Sequence, residues 1–169
     1  WPRLTGIERY PAQLNASDYL LEPGRTRHPD AIAYIRDQDR WTYRHLDDQV
    51  RRLASVLIDQ GLVPGNRVVV RGYNAPETAA AILACLHAGL VAVPTMPLLR
   101  AAALGAASSR AEASLILTDV RLRAEVDAIA GGPSAVRAWG PGGDLDDAVA
   151  SARPSVAAVA TAASDVALL

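Results

Sequence analysis

Residues 67–94 decide the fold class of this chain. They read Arg-Val-Val-Val-Arg-Gly-Tyr-Asn-Ala-Pro-Glu-Thr-Ala-Ala-Ala-Ile-Leu-Ala-Cys-Leu-His-Ala-Gly-Leu-Val-Ala-Val-Pro. Its Val-rich start at residues 67–71 predicts a buried strand, and the segment from Pro76 to the stop at Gly89 predicts a helix. Residues 90–93 predict a second strand. Short apolar strands joined by a helix are typical of parallel strands covered on both faces and connected by right-handed crossovers.

The same alternation of strand and helix continues downstream. The predicted elements are helices over residues 99–110 and 121–130 and strands over residues 114–118 and 135–138. Residues 140–144 predict a loop, residues 151–164 an irregular connection, and residues 165–169 the first part of an apolar strand. We therefore expect an α/β fold with a layered, mostly parallel β-sheet flanked by helices.

Upstream of the quoted stretch, the pattern predicts a small N-terminal β-hairpin between two helices. The predicted elements are a helix over residues 15–21, strands over 31–36 and 40–43, and an amphipathic helix after them. Asn15 fits as the N-cap of the first helix, which Pro23 and Gly24 are expected to end. Thr42 fits as the N-cap of the second helix, and Gly61 fits as its stop.

Composition limits the classes of protein to which the chain can belong. Its 169 residues suffice for one domain or part of a larger one, and half of them are apolar. The net charge of −1 and the scattered basic residues predict no nucleic-acid partner. A single cysteine excludes an intrachain disulfide and suits a reducing cytoplasm. The apolar run at residues 79–94 is too short for a membrane span, and residues 1–8 lack a signal-peptide pattern, so we expect no membrane partner.

Generic catalytic motifs are absent from the sequence, since it has no dinucleotide or phosphate-loop signature and no nucleophile elbow. The loop at residues 140–144 lacks the Lys and Ser or Thr of a phosphate loop and is interpreted as a plain loop. Cys85 lies among apolar residues and is expected in the core. The three histidines are isolated in the sequence and are expected to have surface or helix-capping roles: His28, His45 and His87.

Two features allow both a structural and a functional interpretation. Asp47-Asp48 and Asp146-Asp147 are paired carboxylates, but neighbours on a helix point in different directions, so solvated acids near helix starts are favoured over acid–base catalysis. Tyr73 and Asn74 follow a predicted parallel strand at the sheet edge where ligands commonly bind, although a turn at this point also explains them.

Four segments together resemble the N-terminal part of the adenylate-forming superfamily, which includes acyl- and aryl-CoA synthetases, luciferases and peptide-synthetase adenylation domains. The segments are Arg40-Trp-Thr-Tyr-Arg-His-Leu46, Gly61-Leu-Val-Pro-Gly-Asn-Arg-Val68, Asn74-Ala-Pro76 and Leu86-His-Ala-Gly-Leu-Val-Ala-Val-Pro94. Their order and spacing cover nearly the whole chain. Tyr10-Pro-Ala-Gln-Leu-Asn15 and Thr95-Met-Pro-Leu-Leu-Arg100 look most like ligases of the benzoate-CoA and 2-aminobenzoate-CoA type.

This resemblance implies an enzyme that joins an aromatic carboxylic acid to CoA through an acyl-adenylate, with ATP, Mg²⁺ and CoA as cofactors. It implies that residues 1–169 are the N-terminal portion of the large domain, an incomplete subdomain of the adenylate-forming fold. Within it, residues 1–62 carry the first helix, the hairpin and the amphipathic helix. Residues 63–140 form the α/β repeat, and residues 141–169 lead toward the phosphate loop of the family.

The resemblance also implies what these residues do not supply. In the family, the phosphate loop, the acid pocket, the ribose-binding acidic residue and a lysine that stabilises charge during adenylation follow later, and this chain contains no lysine. We therefore expect the 169-residue chain alone to be inactive. One residue is carried over: Arg100 follows the Pro-containing strand where family members place basic side chains near the CoA nucleotide, although Leu98 stands where some relatives have Arg. An exposed arginine that opens the helix over residues 99–110 explains Arg100 at least as well.

Two other interpretations stay open from the sequence. An adenylation enzyme that loads a carrier protein would share every motif quoted above. A non-catalytic α/β interaction module is disfavoured, because a chain that stops within an apolar strand exposes an unpaired edge. Such an edge is also compatible with a homo-oligomer.

Overall fold

The computed structural model describes residues 10–131, 135–155 and 157–169. The elements in chain order are α1 (Ala16–Arg27), β1 (Ile32–Arg36), β2 (Asp39–Thr42), α2 (Tyr43–Asp59), β3 (Arg67–Arg71), α3 (Pro76–His87), β4 (Val91–Thr95), α4 (Ala101–Arg110), β5 (Ala113–Asp119), a 3₁₀ turn (Val120–Leu122), α5 (Arg123–Asp127), β6 (Val136–Trp139) and α6 (Leu145–Ser151). The expectation that residues 1–8 lack a signal peptide falls outside the described residues.

Strands β3 to β6 form a parallel sheet in the spatial order β4-β3-β5-β6. The register places Val69 of β3 opposite Val93 of β4 and Ile116 of β5. These three side chains belong to a core cluster with residues of α4 and α5, whereas Val68 and Val70 belong to the larger cluster on the other face. The predicted parallel sheet, covered on both faces by helices, is therefore confirmed.

Strands β1 and β2 form the expected two-stranded antiparallel hairpin. The second helix also begins as predicted, because the Thr42 hydroxyl accepts a hydrogen bond from the His45 backbone N–H at 3.2 Å. The apolar side of α2 is buried against the sheet cluster through Val50, Ala54 and Leu57. Capping and amphipathic pattern agree here, which explains why this element was predictable.

Helix α1 differs from its prediction, because it continues through Pro23 and Gly24 to Arg27. Gly24 is buried against the ring of Tyr43, and its carbonyl accepts a hydrogen bond from the His28 N–H at 3.0 Å. Packing against α2 therefore outweighs the local cost of a proline inside the helix. The expected end at Pro23 and Gly24 was wrong.

Two downstream helices also have different bounds from those predicted. Helix α4 begins at Ala101 rather than at residue 99, because the Leu99 carbonyl accepts a hydrogen bond from Arg71 instead of an intrahelical one. The helix predicted over residues 121–130 is a 3₁₀ turn followed by the short α5. The Asp119 carboxylate caps that turn by accepting from the Arg121 N–H at 2.9 Å.

The last described segment packs against the sheet beside β4. Ala92 donates its N–H to the Ala167 carbonyl and accepts from the Leu169 N–H, both at 3.0 Å. These bonds form a single parallel bridge between Ala92 and Leu168 rather than the strand predicted over residues 165–169. Among the described helices, none has the length and apolar character needed to cross a bilayer.

Candidate functional site

The carboxyl ends of the parallel strands bring several charged side chains to one edge of the sheet. Arg71 ends β3 and lies in register with Thr95 of β4 and Thr118 of β5. Because side chains alternate along a strand, Arg71 shares its face of the sheet with Val69, the face that α4 and α5 cover. Ligands of open parallel sheets bind at this edge.

Arg71 is completely buried, yet its guanidinium faces backbone carbonyl groups rather than a carboxylate within bonding distance. Nη1 donates to the Met96 oxygen at 3.0 Å, and Nη2 donates to the Pro97 and Leu99 oxygens at 2.9 and 2.7 Å. Burial lowers the pKa of Arg71, although the charge of Glu125 opposes that effect. The side chain therefore joins the end of β3 to the connection between β4 and α4.

Two buried polar atoms at this edge have no hydrogen-bond partner within the described residues. They are Nε of Arg71 and Oγ1 of Thr95, which belong to residues in direct register on neighbouring strands. Buried polar atoms are almost always paired in folded proteins, by protein groups, water or ligands. These two atoms therefore leave hydrogen-bonding capacity unused at this buried edge of the sheet.

Arg100 lies at the first residue before α4 and is paired with Glu125 of α5. Its Nη1 lies 2.7 Å from Glu125 Oε1, and the second oxygen of Glu125 accepts from the Ala101 N–H at 2.8 Å. The hydrogen bond from Arg100 is the main reason why the pKa of Glu125 is lowered. The Arg100 side chain remains 85% exposed, so its guanidinium still faces solvent.

A cavity of about 260 Å³ lies between the β4–α4 connection and the start of α5. Its charged lining residues are Arg71, Arg100, Arg121 and Glu125. Three guanidinium groups face two carboxylates here, Glu125 in the lining and Asp119 paired with Arg121, and the net positive charge favours an anionic ligand. The planar Arg fork matches phosphate oxygens.

Tyr73 and Asn74 follow β3 at the same edge and already have partners. The Arg121 guanidinium carbon lies 4.6 Å from the centre of the Tyr73 ring, a cation–π contact. The Tyr34 hydroxyl of the hairpin donates to Asn74 Oδ1 at 2.7 Å. These contacts support the structural interpretation of Tyr73 and Asn74.

Asp119 holds Arg121 in this arrangement. Its carboxylate is buried and accepts from the Arg121 Nε at 2.9 Å, in addition to the backbone bond that caps the 3₁₀ turn. Burial on its own would raise the pKa of Asp119, but the hydrogen bonds from Arg121 outweigh it and lower the pKa. Asp119 is therefore an ionised anchor for Arg121.

The remaining sequence candidates are dispersed rather than gathered into a site. Cys85 is fully buried, and burial raises the pKa of its thiol to about 12, as expected of a core residue. His28 and His45 are exposed, as predicted. His87 lies in the last turn of α3, as expected, but it is buried rather than on the surface, and its Nε2 lies 2.9 Å from the Ser155 hydroxyl. The described residues contain no group of His, Cys, Asp and Glu side chains that would hold a metal ion.

The paired carboxylates do not form an acid–base pair. Asp47 and Asp48 are ion-paired with Arg51 and Arg52 at 2.8 and 2.7 Å, so the expectation that they are merely solvated was incomplete. Asp146 and Asp147 are exposed in the first turn of α6, as expected.

The loop at residues 140–144 uses its polar groups internally. Asp146 accepts from the Gly140 N–H at 2.9 Å, and the Gly143 N–H donates to the Gly140 carbonyl at 2.8 Å. Asp144 accepts from the Ala138 N–H at 2.9 Å. Its interpretation as a plain loop agrees with these contacts.

Sequence reasoning named Arg100 as a candidate but not the other charged residues of this cavity, Arg71, Arg121 and Glu125. A signal for Arg71 was present, because it occupies a core-facing position two residues after the buried Val69. An arginine at such a position requires a partner, and only the three-dimensional structure shows that the partners are carbonyl groups. Arg121 and Glu125 are ordinary helix-surface residues by sequence and carry no comparable signal.

Comparison with known proteins identifies relatives along most of the chain. Residues 21–168 match the family model described as AMP-binding enzyme. A salicylyl-CoA synthase / salicylate adenylyltransferase of a Streptomyces species is 38% identical over 104 residues, 62% of this chain and 19% of the relative. A salicyl-AMP ligase / salicyl-S-ArCP synthetase of Mycobacterium tuberculosis is 35% identical over 109 residues, 61% of this chain and 19% of the relative.

The fold has close counterparts among solved structures. The crystal structure of a benzoate CoA ligase from Burkholderia xenovorans superposes with a TM-score of 0.85 and 26% identity, covering 92% of this chain and 32% of the ligase. The parallel sheet, its helices and the small hairpin thus match the N-terminal part of an adenylate-forming enzyme. The chain spans about a fifth of the length of these two curated relatives and about a third of the ligase.

Proposed function

Because the chain belongs to the family of AMP-binding enzymes, we propose that it forms the N-terminal portion of the large domain of an ATP-dependent aryl-CoA ligase. The observation that carries this proposal is the structural match to a benzoate CoA ligase over 92% of the chain. The 38% identity to a salicylyl-CoA synthase supports an aromatic acid as well. The proposed substrate is benzoate or 2-aminobenzoate, the class that the sequence resemblance implies.

The proposed reaction has two steps. The carboxylate oxygen of the acid attacks the α-phosphorus of ATP, which forms an acyl-adenylate and releases pyrophosphate. The sulfur of CoA then attacks the acyl carbon, which forms the thioester and releases AMP. ATP is expected to bind as its Mg²⁺ complex through its phosphates, since Mg²⁺ is commonly held that way in nucleotide sites. No residue described here is assigned to the metal.

Arg100 is proposed to contact a phosphate of CoA in the second step. Its guanidinium is exposed, permanently charged and adjacent to the arginine-lined cavity. Glu125 orients this side chain from one side and leaves the remaining donors directed to solvent. A phosphate placed there would gain a charge-assisted, geometrically specific contact.

Acid-dependent exchange between ATP and pyrophosphate by the full-length gene product tests the first step. Benzoate, 2-aminobenzoate, salicylate, acetate and a long-chain fatty acid would be supplied separately. We expect exchange with an aromatic acid and little with acetate or the fatty acid. A folded full-length protein that exchanges with none of these acids would refute the proposed ligase.

Arg100→Ala tests the second step in the same protein. Loss of one charge-assisted contact is expected to raise the KM for CoA by roughly tenfold. Arg110→Ala is the matched control, since Arg110 is an exposed arginine at the opposite end of α4. An unchanged KM for CoA in Arg100→Ala would remove the assigned role of Arg100.

Loading of a carrier protein is the second candidate function. The Mycobacterium relative, named a salicyl-S-ArCP synthetase, favours this candidate. Both candidates share adenylate formation, so the acceptor thiol distinguishes them. Acyl transfer to a phosphopantetheine-bearing carrier protein, with none to free CoA, would favour the second candidate.

A further inference from the structure

One residue of the connection between β4 and α4, Leu99, packs against the core cluster on that face of the sheet. Met96 and Leu98 are 66% and 87% exposed. Within the connection, the Leu99 N–H donates to the Met96 carbonyl at 3.1 Å, which closes a turn. A short exposed connection of this kind needs a tether to keep one conformation, because ordering each backbone residue costs about 1–2 kcal/mol.

Arg71 supplies that tether. Its two terminal nitrogens donate to carbonyl oxygens of three of the four residues from Met96 to Leu99. A planar fork with fixed donors spans several acceptors, whereas the single ammonium group of a lysine does not. The next residue in the chain is Arg100, and the next helix begins one residue later.

We propose that Arg71 is a positioning residue for the thiol-transfer step, because it fixes the β4–α4 connection and thereby presents Arg100 to a phosphate of CoA. This inference rests on the proposed function. Arg71 acts through the backbone of the connection and not by contact with the reacting atoms. Its buried charge is retained at this position because the carbonyl oxygens solvate it in place of water.

A second arginine on the same strand provides a matched control. Arg67 begins β3 and lies four residues from Arg71, on the same face of the strand. Its Nε donates to the Ala111 carbonyl at 2.7 Å and its Nη2 to the Glu112 carbonyl at 3.0 Å. Arg67 therefore makes the same kind of arginine–carbonyl contact at the opposite end of the strand, but with the residues that follow α4 rather than with those that precede Arg100, and it also pairs with the Glu112 carboxylate at 2.8 Å.

The test compares Arg71→Met, Arg71→Lys and Arg67→Met in the full-length protein. We expect both Arg71 variants to raise the KM for CoA by roughly tenfold, while acid-dependent ATP–pyrophosphate exchange changes much less. Arg67→Met is expected to leave the KM for CoA within about twofold of the wild type. In an Arg100→Ala background, Arg71→Lys is expected to raise the KM for CoA little further, because both changes remove the same contact.

The outcomes separate this inference from the proposed function. A wild-type protein without acid-dependent exchange refutes the proposed function itself. Exchange in the wild type combined with an unchanged KM for CoA in both Arg71 variants refutes only the positioning role. Parallel losses of exchange and thioester formation in the milder Arg71→Lys variant would make Arg71 a general stabilising residue and would equally overturn the inference.

Discussion

The amide of Asn15 donates a hydrogen bond to the Leu86 carbonyl oxygen at 2.7 Å, across 71 positions of sequence. The same amide reaches the Val159 carbonyl at 3.0 Å, while its oxygen caps α1 by accepting from the Ser17 and Asp18 N–H groups. One side chain thus joins the start of α1, the end of α3 and the connection that follows α6.

Replacing Asn15 is expected to remove both the cap and the long-range bonds. Asn15→Ala should lower the free energy of unfolding by about 2–3 kcal/mol, which combines a lost cap with unsatisfied carbonyl groups. Asn15→Ser provides a capping oxygen but is too short to reach Leu86. Its free energy of unfolding should therefore be about 1 kcal/mol higher than that of Asn15→Ala. Urea unfolding of the full-length protein measures the free energy of unfolding of both variants, and hydrogen exchange in peptides from this segment measures the local effect of each change. Equal losses in the two variants would show that the cap contributes nothing.

Gly24 is expected to respond to substitution with the opposite sign from an ordinary helical glycine. In an exposed helix, Gly→Ala stabilises by about 1 kcal/mol. At Gly24 a new methyl group would overlap the Tyr43 ring, so Gly24→Ala should destabilise by about 1–3 kcal/mol. The matched test is the same change in a Tyr43→Ala background, where we expect it to become neutral or stabilising. Destabilisation of equal size in both backgrounds would contradict the steric explanation.

The α/β order was predictable because local signals and tertiary packing agree in most elements. Helix α3 has the bounds predicted from its Pro and Gly boundaries, and Thr42 caps α2 as expected. Prediction failed where packing outweighed a local signal. The helix through Pro23 and Gly24 depends on the distant Tyr43, which no local pattern reveals.

The candidate site was less predictable than the fold. Family resemblance made Arg100 a candidate, but its partner Glu125 lies 25 positions away and was not anticipated. His87 and Arg71 occupy the interior because groups distant in sequence bond to them: Ser155 lies beside His87 Nε2, and the β4–α4 connection accepts from the two terminal nitrogens of Arg71. Burial of polar side chains depends on such partners, and the sequence around each residue does not contain them.

His87 is expected to make stability depend on pH. Burial lowers the pKa of His87 below its ordinary value of about 6.5, and the charge of Arg51 lowers it further. Two carboxylates, Asp18 and Asp47, act in the opposite direction, and Arg25 adds to the lowering. In the unfolded chain, His87 therefore binds a proton at a higher pH than in the folded chain.

The consequence is a loss of stability as pH falls. Below about pH 6.5 the unfolded state takes up the proton first, so the free energy of unfolding decreases until the folded-state pKa is passed. His87→Gln keeps a hydrogen-bonding group near Ser155 and should flatten this dependence between pH 7 and about pH 5. The exposed His28→Gln is the control. An equally steep pH profile in His87→Gln would exclude His87 as the source.

Cys85 is expected to be unreactive in the native protein. Its thiol is fully buried, and with a pKa raised to about 12 it holds almost no thiolate, the nucleophilic form. Iodoacetamide at pH 8 should therefore leave the peptide that contains Cys85 unmodified in the folded protein and label it after denaturation. Mass spectrometry of the digested protein measures this. Rapid native labelling would indicate that α3 opens far more often than its packing implies.

Residues 1–169 alone are expected to catalyse neither adenylate formation nor transfer to CoA. The chain supplies an arginine-lined edge of the sheet but contains no lysine, the residue type that adenylation uses in the family it resembles. It also covers 32% of the benzoate CoA ligase whose fold it shares. ATP–pyrophosphate exchange by purified residues 1–169 with benzoate or 2-aminobenzoate should not exceed the background without acid, whereas the full-length protein should show exchange with one of these acids. Circular dichroism would establish that the isolated chain has folded. Exchange above background by the folded chain would mean that arginine side chains suffice for the charge stabilisation assigned to lysine.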